Sequence, residues 1–151
     1  MTVMLMAIAT AMVVPTFSEG DSSNVRAATW LLVGELDFAQ ATAITDPSDQ
    51  VRVTFDTSAS RFWVAYAATP MDPILAPYTD APHDVSFGVG AGEPASGVSI
   101  ALAGIDVSYI EYDAFGRITS STPPRITLSR SDAAMTVTLS TDTGFLTVTD
   151  E

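Results

Sequence analysis

The chain opens with an apolar run, residues 1–17, and no charged side chain occurs before Glu19. At about 1.5 Å of rise per residue, a helix of this length would be roughly 25 Å long, slightly less than the ~30 Å hydrocarbon core of a bilayer. We therefore predict a transmembrane and assembly helix over residues 1–20 that begins upstream of Met1. The residues expected to form its apolar and small-residue surface are Val3, Leu5, Ala7, Ile8, Ala11, Val13, Val14, Pro15 and Phe17.

Two other interpretations of the apolar run remain open. A secretory signal peptide is the weaker one, because such peptides start with basic residues and the first basic residue here is Arg26. A buried core helix is the simpler one, because Met, Ala and Val also fill the interiors of soluble domains. On a membrane-insertion scale, the apolar residues of the run favour insertion by a total on the order of a few kcal/mol. This is only marginally enough for the run to insert by itself.

Composition limits what can follow this run. The 151 residues leave room for one compact domain. The formal net charge of −12, from 18 acidic and 6 basic residues, would repel a nucleic-acid backbone or an anionic lipid surface. The chain has no Cys, which excludes disulfides, thiol catalysis and the common zinc sites.

A second helix is predicted over residues 22–45, inside a head domain that spans residues 21–151. Its apolar residues are spaced by three or four positions and form one stripe: Val25, Ala28, Leu32, Leu36, Ala39 and Ala43. Four of these are the predicted contacts between the helix and a sheet: Leu32, Leu36, Ala39 and Ala43. Pro47 then ends the helix.

After Pro47 the apolar period changes to two, which indicates strands. The predicted strands are 51–55, 62–66, 85–89, 98–102, 107–112, 125–129, 134–139 and 145–149. Gly144 favours a hairpin between the last two. One long helix followed only by strands predicts an α+β fold, with the helix packed on one face of an antiparallel β-sheet.

The segment 68–97 contains five Pro residues, and together with its Gly residues they resist a continuous helix or a central strand. We expect a long loop with one short strand. Its glycines at positions 88, 90 and 92 are interpreted as a flexible turn, because no helix follows them to bind a phosphate. This loop is the candidate for a partner-specific contact, and a solvated insertion without a partner is the alternative.

No arrangement of side chains predicts catalysis. His83 is the only His and is expected to be a solvated loop residue. Asp46 and Asp49 offer oxygens to calcium, but the glycine and glutamate of an EF-hand loop are missing. Other carboxylates are expected to be solvated strand ends rather than an acid and base pair: Asp56, Asp106, Glu111 and Asp113.

The large aromatic residues Trp30, Trp63 and Tyr66 are expected to pack in the core rather than to form a ligand platform. An enzyme remains the least supported class of protein. We therefore expect a structural or assembly protein with no cofactor, no metal and no small-molecule substrate.

Several stretches resemble one family of proteins. Residues 13–17 resemble the end of a type IV pilin-like N-terminal segment, and residues 36–44 with 51–55 resemble the second helical half and first strand of H-type minor pseudopilins and FimT-like proteins. Residues 126–128 and 136–145, which include Gly144, resemble the closing strands of that family. The family's turn motif of an aromatic residue, Asp, two residues, Gly and Arg is matched by Tyr112, Asp113, Phe115, Gly116 and Arg117.

This resemblance implies a minor pseudopilin of a type II secretion system, of the GspH/FimT-like kind. It implies a single-pass, methylated protein of the bacterial inner membrane, whose periplasmic head assembles with other pilin-like subunits into a pseudopilus. The family starts with a basic leader, then a Gly, a Phe and shortly afterwards a Glu. None of these stands before the apolar run here, so the leader and first helix residues are expected to be missing.

A second departure is Gln40, where family members often carry Arg. Together with the acidic balance, it favours a secretion pseudopilus over the DNA-uptake role of FimT-like members. A FimT-like minor pilin of a type IV pilus is the first alternative. A membrane-anchored β-rich module that binds a carbohydrate or peptide through Trp63, Tyr66 and the long loop is the second.

Overall fold

The computed structural model describes residues 19–105 and 107–151. The described part of the chain forms a long helix, α1 (Glu19–Thr45), a 3-10 helix (Gly90–Ala95) and eight strands. The strands are β1 (Val51–Asp56), β2 (Arg61–Tyr66), β3 (Asp84–Ser86), β4 (Ser99–Ala103), β5 (Tyr109–Tyr112), β6 (Arg125–Arg130), β7 (Ala133–Leu139) and β8 (Leu146–Asp150). The predicted α+β class, with a helix on antiparallel strands, is confirmed.

The predicted membrane and assembly helix, residues 1–20, lies outside the described residues except for its last two positions. The assembly residues assigned to it, from Val3 to Phe17, are all outside them. Across residues 19–105 and 107–151, no helix is both long enough and apolar enough to cross a bilayer.

The apolar stripe of α1 faces the sheets. Leu32, Leu36, Ala39 and Ala43 are fully buried there. Burial of each such Leu side chain stabilises the folded state by about 1.5–3 kcal/mol. Packing of this stripe therefore holds α1 along the body of the molecule.

The strands form two antiparallel sheets rather than one. The first has the order β3-β2-β1-β5 and the second has the order β4-β6-β7-β8. In the first sheet Val53 of β1 lies between Val64 of β2 and Ile110 of β5, and in the second Val137 of β7 pairs with Ile126 of β6. The two-residue period predicts which side chains face the core, but it does not specify which strands pair, so the single sheet predicted from the sequence is wrong.

The first turn of α1 is tied to the second sheet and to the loop after the 3-10 helix. Arg130 Nε lies 2.8 Å from Asp21 Oδ1, and Arg130 Nη1 donates a hydrogen bond to the carbonyl oxygen of Ser96 at 2.5 Å. The Asn24 side-chain amide donates to the same oxygen at 2.9 Å. These contacts fix the end of α1 that follows the apolar run.

The glycine-rich segment was predicted as a flexible turn, and this prediction is wrong. Gly90–Ala95 is a 3-10 helix in which Ala95 is fully buried. Gly92 lies so close to the carbonyl oxygen of Ser86 that a Cβ atom there would collide with it. The glycine therefore serves close packing rather than flexibility.

Candidate assembly surface

The side chain of Gln40, near the end of α1, joins two loops. Its Nε2 donates hydrogen bonds to the carbonyl oxygen of Gly116 at 2.9 Å and to that of Thr143 at 3.0 Å. Gly116 belongs to the turn after β5, and Thr143 belongs to the hairpin between β7 and β8. We call this arrangement the Gln40 clamp, because one side chain holds both loops against α1.

The turn after β5 is closed by the carboxylate of Asp113. Its Oδ1 accepts hydrogen bonds from the backbone N–H groups of Phe115 and Arg117, each at 2.9 Å, and its Oδ2 lies 3.1 Å from Arg117 Nε. Burial alone raises the pKa of Asp113, but the hydrogen bonds from Arg117 and Phe115 outweigh it and lower the pKa below its usual value. The Asp and Arg of the motif therefore shape the turn itself.

Tyr112, at the start of the same motif, lies under α1 and is almost fully buried. Burial raises the pKa of its hydroxyl, and the negative charge of Asp37 on α1 raises it further. The phenol is therefore a neutral core group.

The glycines of the two loops permit their close approach. Gly116 and Gly144 have φ angles of +75° and +70°, in the left-handed region that side chains rarely adopt. A Cβ on Gly116 would lie 2.8 Å from Ile44 Cδ1, and a Cβ on Gly144 would collide with the carbonyl oxygen of Gly116. Both glycines are thus required by the clamp geometry.

The three segments joined by the clamp also carry exposed apolar side chains. Ile44 is 51% exposed, Phe115 is 76% exposed and Phe145 is 71% exposed. The Arg117 guanidinium lies 5.1 Å from the centre of the Phe115 ring. This end of the molecule therefore offers aromatic side chains on a hydrogen-bonded support.

The Pro-rich part of the long loop, residues 68–83, forms a second ordered surface that we call the arm. The amide of Ile74 donates to the carbonyl oxygen of Val64, and that of His83 donates to the carbonyl oxygen of Ile74, both at 2.8 Å. The amide of Ala76 donates to the carbonyl oxygen of Ala81 at 2.8 Å. The arm is thus a small hairpin along β2, with its tip at Tyr78.

The prediction that His83 is a solvated loop residue is wrong. Its ring stacks on Phe38 of α1 with 3.6 Å between the ring centres, and its Nδ1 lies 2.8 Å from Glu35 Oε2. The side chains of His83 and Glu35 are each only 18% exposed. His83 therefore anchors the end of the arm to the helix.

Trp63 supports the other end of the arm. It is 7% exposed, and its indole Nε1 donates a hydrogen bond to the carbonyl oxygen of Pro70 at 2.8 Å. Tyr66 is partly buried, and its hydroxyl donates to Asp46 Oδ2 at 3.3 Å. Both residues have structural partners, so they do not form an open ligand platform.

Trp30, by contrast, is 64% exposed, so its predicted place in the core is wrong. It follows Ala28 and Thr29, which are buried, and the 3.6-residue turn carries it to the outward side of α1. The helical period of the stripe, rather than the usual preference of Trp for a core, therefore decides which side Trp30 occupies.

The acidic residues considered for chemistry form local hydrogen bonds and ion pairs. Glu111 pairs with Arg52 at 2.7 Å, and Asp56 accepts a hydrogen bond from the Ser58 hydroxyl at 2.6 Å. Asp46 accepts one from the Ser48 hydroxyl at 2.5 Å. Asp106 lies outside the described residues, and within those residues no group of three His, Asp or Glu side chains is placed to hold a metal ion.

The comparisons with known proteins give matches at the level of structure. No protein-family model and no curated protein sequence is matched by this chain. The minor pseudopilin EpsH from the type 2 secretion system of Vibrio cholerae superposes with a TM-score of 0.59 at 14% identity, over 86% of this chain and 98% of that chain. GspH of E. coli gives a TM-score of 0.57 at 15% identity, over 90% and 94% of the two chains.

A type IV minor pilin has a similar structure. FimU of Pseudomonas aeruginosa gives a TM-score of 0.56 at 15% identity, over 82% of this chain and 86% of that chain. In all three comparisons most of both chains is covered, so the likeness extends over the helix and both sheets rather than over one motif. The chain therefore has the GspH/FimT-like pilin fold, which it shares with the minor pseudopilins EpsH and GspH and with the minor pilin FimU.

Proposed function

We propose that this protein is a pilin-like structural subunit, and more specifically a minor pseudopilin of a type II secretion pseudopilus. The observation that carries the proposal is the likeness to EpsH over 98% of that chain. The sequence supports it, because the apolar residues 1–17 lead directly into α1, which begins at Glu19.

The proposed mechanism is physical rather than catalytic. The apolar N-terminal helix holds the subunit in the inner membrane, with the head in the periplasm. On assembly, contacts between neighbouring apolar helices replace contacts with lipid, and small residues such as Ala7 and Ala11 allow close approach. The protein is proposed to have no enzymatic activity and no cofactor.

Charge placed in the apolar run tests the anchor. Leu5→Asp or Ile8→Asp costs about 2.5–3.5 kcal/mol at the centre of a membrane helix, so we expect the variant to leave the membrane fraction. Ser18→Asp, next to Glu19 at the polar end of the run, is the matched control and should be retained. Equal retention of Leu5→Asp, Ile8→Asp and the parent chain would contradict the anchor.

Deletion and complementation in the native host test the assembly role. Deletion should reduce the export of proteins by the secretion system, and the parent gene should restore export while the Leu5→Asp gene should not. Normal export after deletion, with loss of surface pili instead, would favour the second candidate, a type IV pilus minor pilin. The likeness to FimU supports that candidate.

A membrane-anchored carbohydrate- or peptide-binding module is less well supported. That hypothesis requires Trp63 to be an exposed platform for a ligand. Trp63 is only 7% exposed, and its indole N–H donates a hydrogen bond to the carbonyl oxygen of Pro70. Specific, saturable binding on a glycan or peptide array that is lost on Trp63→Ala would still favour it.

A further inference from the structure

The arm presents three large apolar side chains within eight positions of the sequence. Met71 is 74% exposed, Leu75 is 54% exposed and Tyr78, at the tip, is 98% exposed. Single exposed apolar residues are ordinary, but three on one short hairpin are an unusual concentration. Tyr and Met are also types that are enriched where proteins bind one another.

This surface is held in one shape before any partner arrives. The hydrogen bonds from Ile74 and Ala76 and the anchor of His83 on Glu35 fix the arm at its middle and at its end. The four Pro residues between positions 70 and 82 restrict the backbone further. A pre-organised surface loses little conformational entropy on binding, so its exposed side chains are suited to recognition.

The charge of the arm indicates the kind of partner. Asp72 and Asp80 are exposed and are the only charged residues between positions 67 and 82. A second copy of this chain would carry the same acidic arm and a net charge of −12, so two copies repel each other. A partner with Lys or Arg around an apolar pocket would instead be attracted.

We infer that the arm docks onto a different protein subunit, through an apolar pocket that receives Tyr78 and basic residues that face Asp72 and Asp80. This inference rests on the proposed function, because it takes the partner to be another pilin-like subunit of the same filament. The link from His83 to Glu35 and Phe38 then makes that partner a neighbour of α1.

Photo-crosslinking from the arm tests this inference. The chain has no Cys, so Tyr78→Cys in the full-length protein, labelled with a benzophenone reagent in membranes of the native host, gives a single reactive position. The expected product is an adduct with another pilin-like subunit, identified by mass spectrometry. Thr57→Cys, exposed on the turn between β1 and β2, is the matched control and should not give that adduct.

Charge reversal decides whether the adduct reports the proposed contact. Asp72→Lys with Asp80→Lys should lower its yield about tenfold or more, since like charges then meet. Asp142→Lys, on the hairpin between β7 and β8, adds the same kind of charge elsewhere and should leave the yield unchanged. An adduct with a second copy, an adduct insensitive to the reversal at Asp72 and Asp80, or no adduct at all would overturn the inference.

A crosslinker at Val13 separates this inference from the proposed function. Adducts with pilin-like subunits from Val13 but none from Tyr78 would leave the filament role standing and remove the role of the arm. Absence of adducts from both positions would remove both.

Discussion

The Gln40 clamp and the arm are both loop regions held against α1, but they are held in different ways. The clamp uses a helix amide to bind two backbone carbonyls, and its two glycines pack against each other. The arm is tied to the helix through the side chain of His83, which contacts Glu35 and Phe38. The clamp is therefore part of the packed body, whereas the arm is a surface element that His83 ties to α1.

If this contrast is correct, the largest effect should come from Gly144→Ala. The new Cβ would meet the carbonyl oxygen of Gly116, and Ala would have to adopt a φ of +70°, so we expect a loss on the order of 3 kcal/mol in the free energy of unfolding. Gly34→Ala is the control, because nothing lies within 4 Å of its Cβ position on an exposed turn of α1. It should raise stability by about 0.5–1 kcal/mol. Chemical denaturation measures both, and equal stabilities would show that the two loops do not need close contact.

A smaller loss is expected for Gln40→Ala. Two carbonyl oxygens lose their donor, which costs about 1–2 kcal/mol, and both loops should become mobile together. Gln50→Ala, an exposed amide before β1, is the control and should be neutral. Amide hydrogen exchange should speed up near Gly116 and Thr143 alike, whereas faster exchange in only one loop would mean that the clamp does not couple them.

His83→Ala should act locally. Loss of the ring stack and of the contact to Glu35 should cost about 1 kcal/mol, and faster hydrogen exchange should be confined to residues 74–83. His83→Phe keeps a ring on Phe38 without the nitrogen and should recover part of the protection. Faster exchange throughout both sheets in the Ala variant would instead make the arm part of the core.

The loss of folding stability at acidic pH should depend on the turn after β5. The pKa of Asp113 in the folded protein is lower than the usual value of an Asp carboxyl. The carboxylate therefore contributes stability above that usual value, and this stability is lost as the pH falls through the folded-state pKa. Asp113→Asn should make stability fall less steeply below about pH 4. Asp142→Asn, an exposed carboxylate on the neighbouring hairpin, should retain the parent slope in urea melts between about pH 2.5 and 5. An unchanged slope in Asp113→Asn would remove the turn from the acid response.

Local patterns predicted much of this fold. The alternation of Val51, Val53 and Phe55 marks β1, and the stripe that contains Leu32 and Leu36 marks the buried side of α1. The positive φ of Gly144 agrees with the hairpin predicted from its sequence. Each of these signals lies within a few residues of the element that it predicts.

Contacts between distant segments could not be predicted in the same way. His83 and Glu35 are 48 positions apart, and Gln40 is 76 positions from Gly116. The pairing of strands into two sheets also depends on contacts between residues that are far apart in the sequence. The same is true of the arm and the clamp.

The ties at both ends of α1 have a mechanical consequence. Asp21 and Asn24 bind Arg130 and Ser96 near the first turn, and the Gln40 clamp holds the far end. A pull directed along α1 from its N-terminal end therefore loads these bonds and the buried stripe simultaneously, as shear between the helix and the sheets. The helix and the two sheets can then move together under such a force, because the load is shared among several contacts.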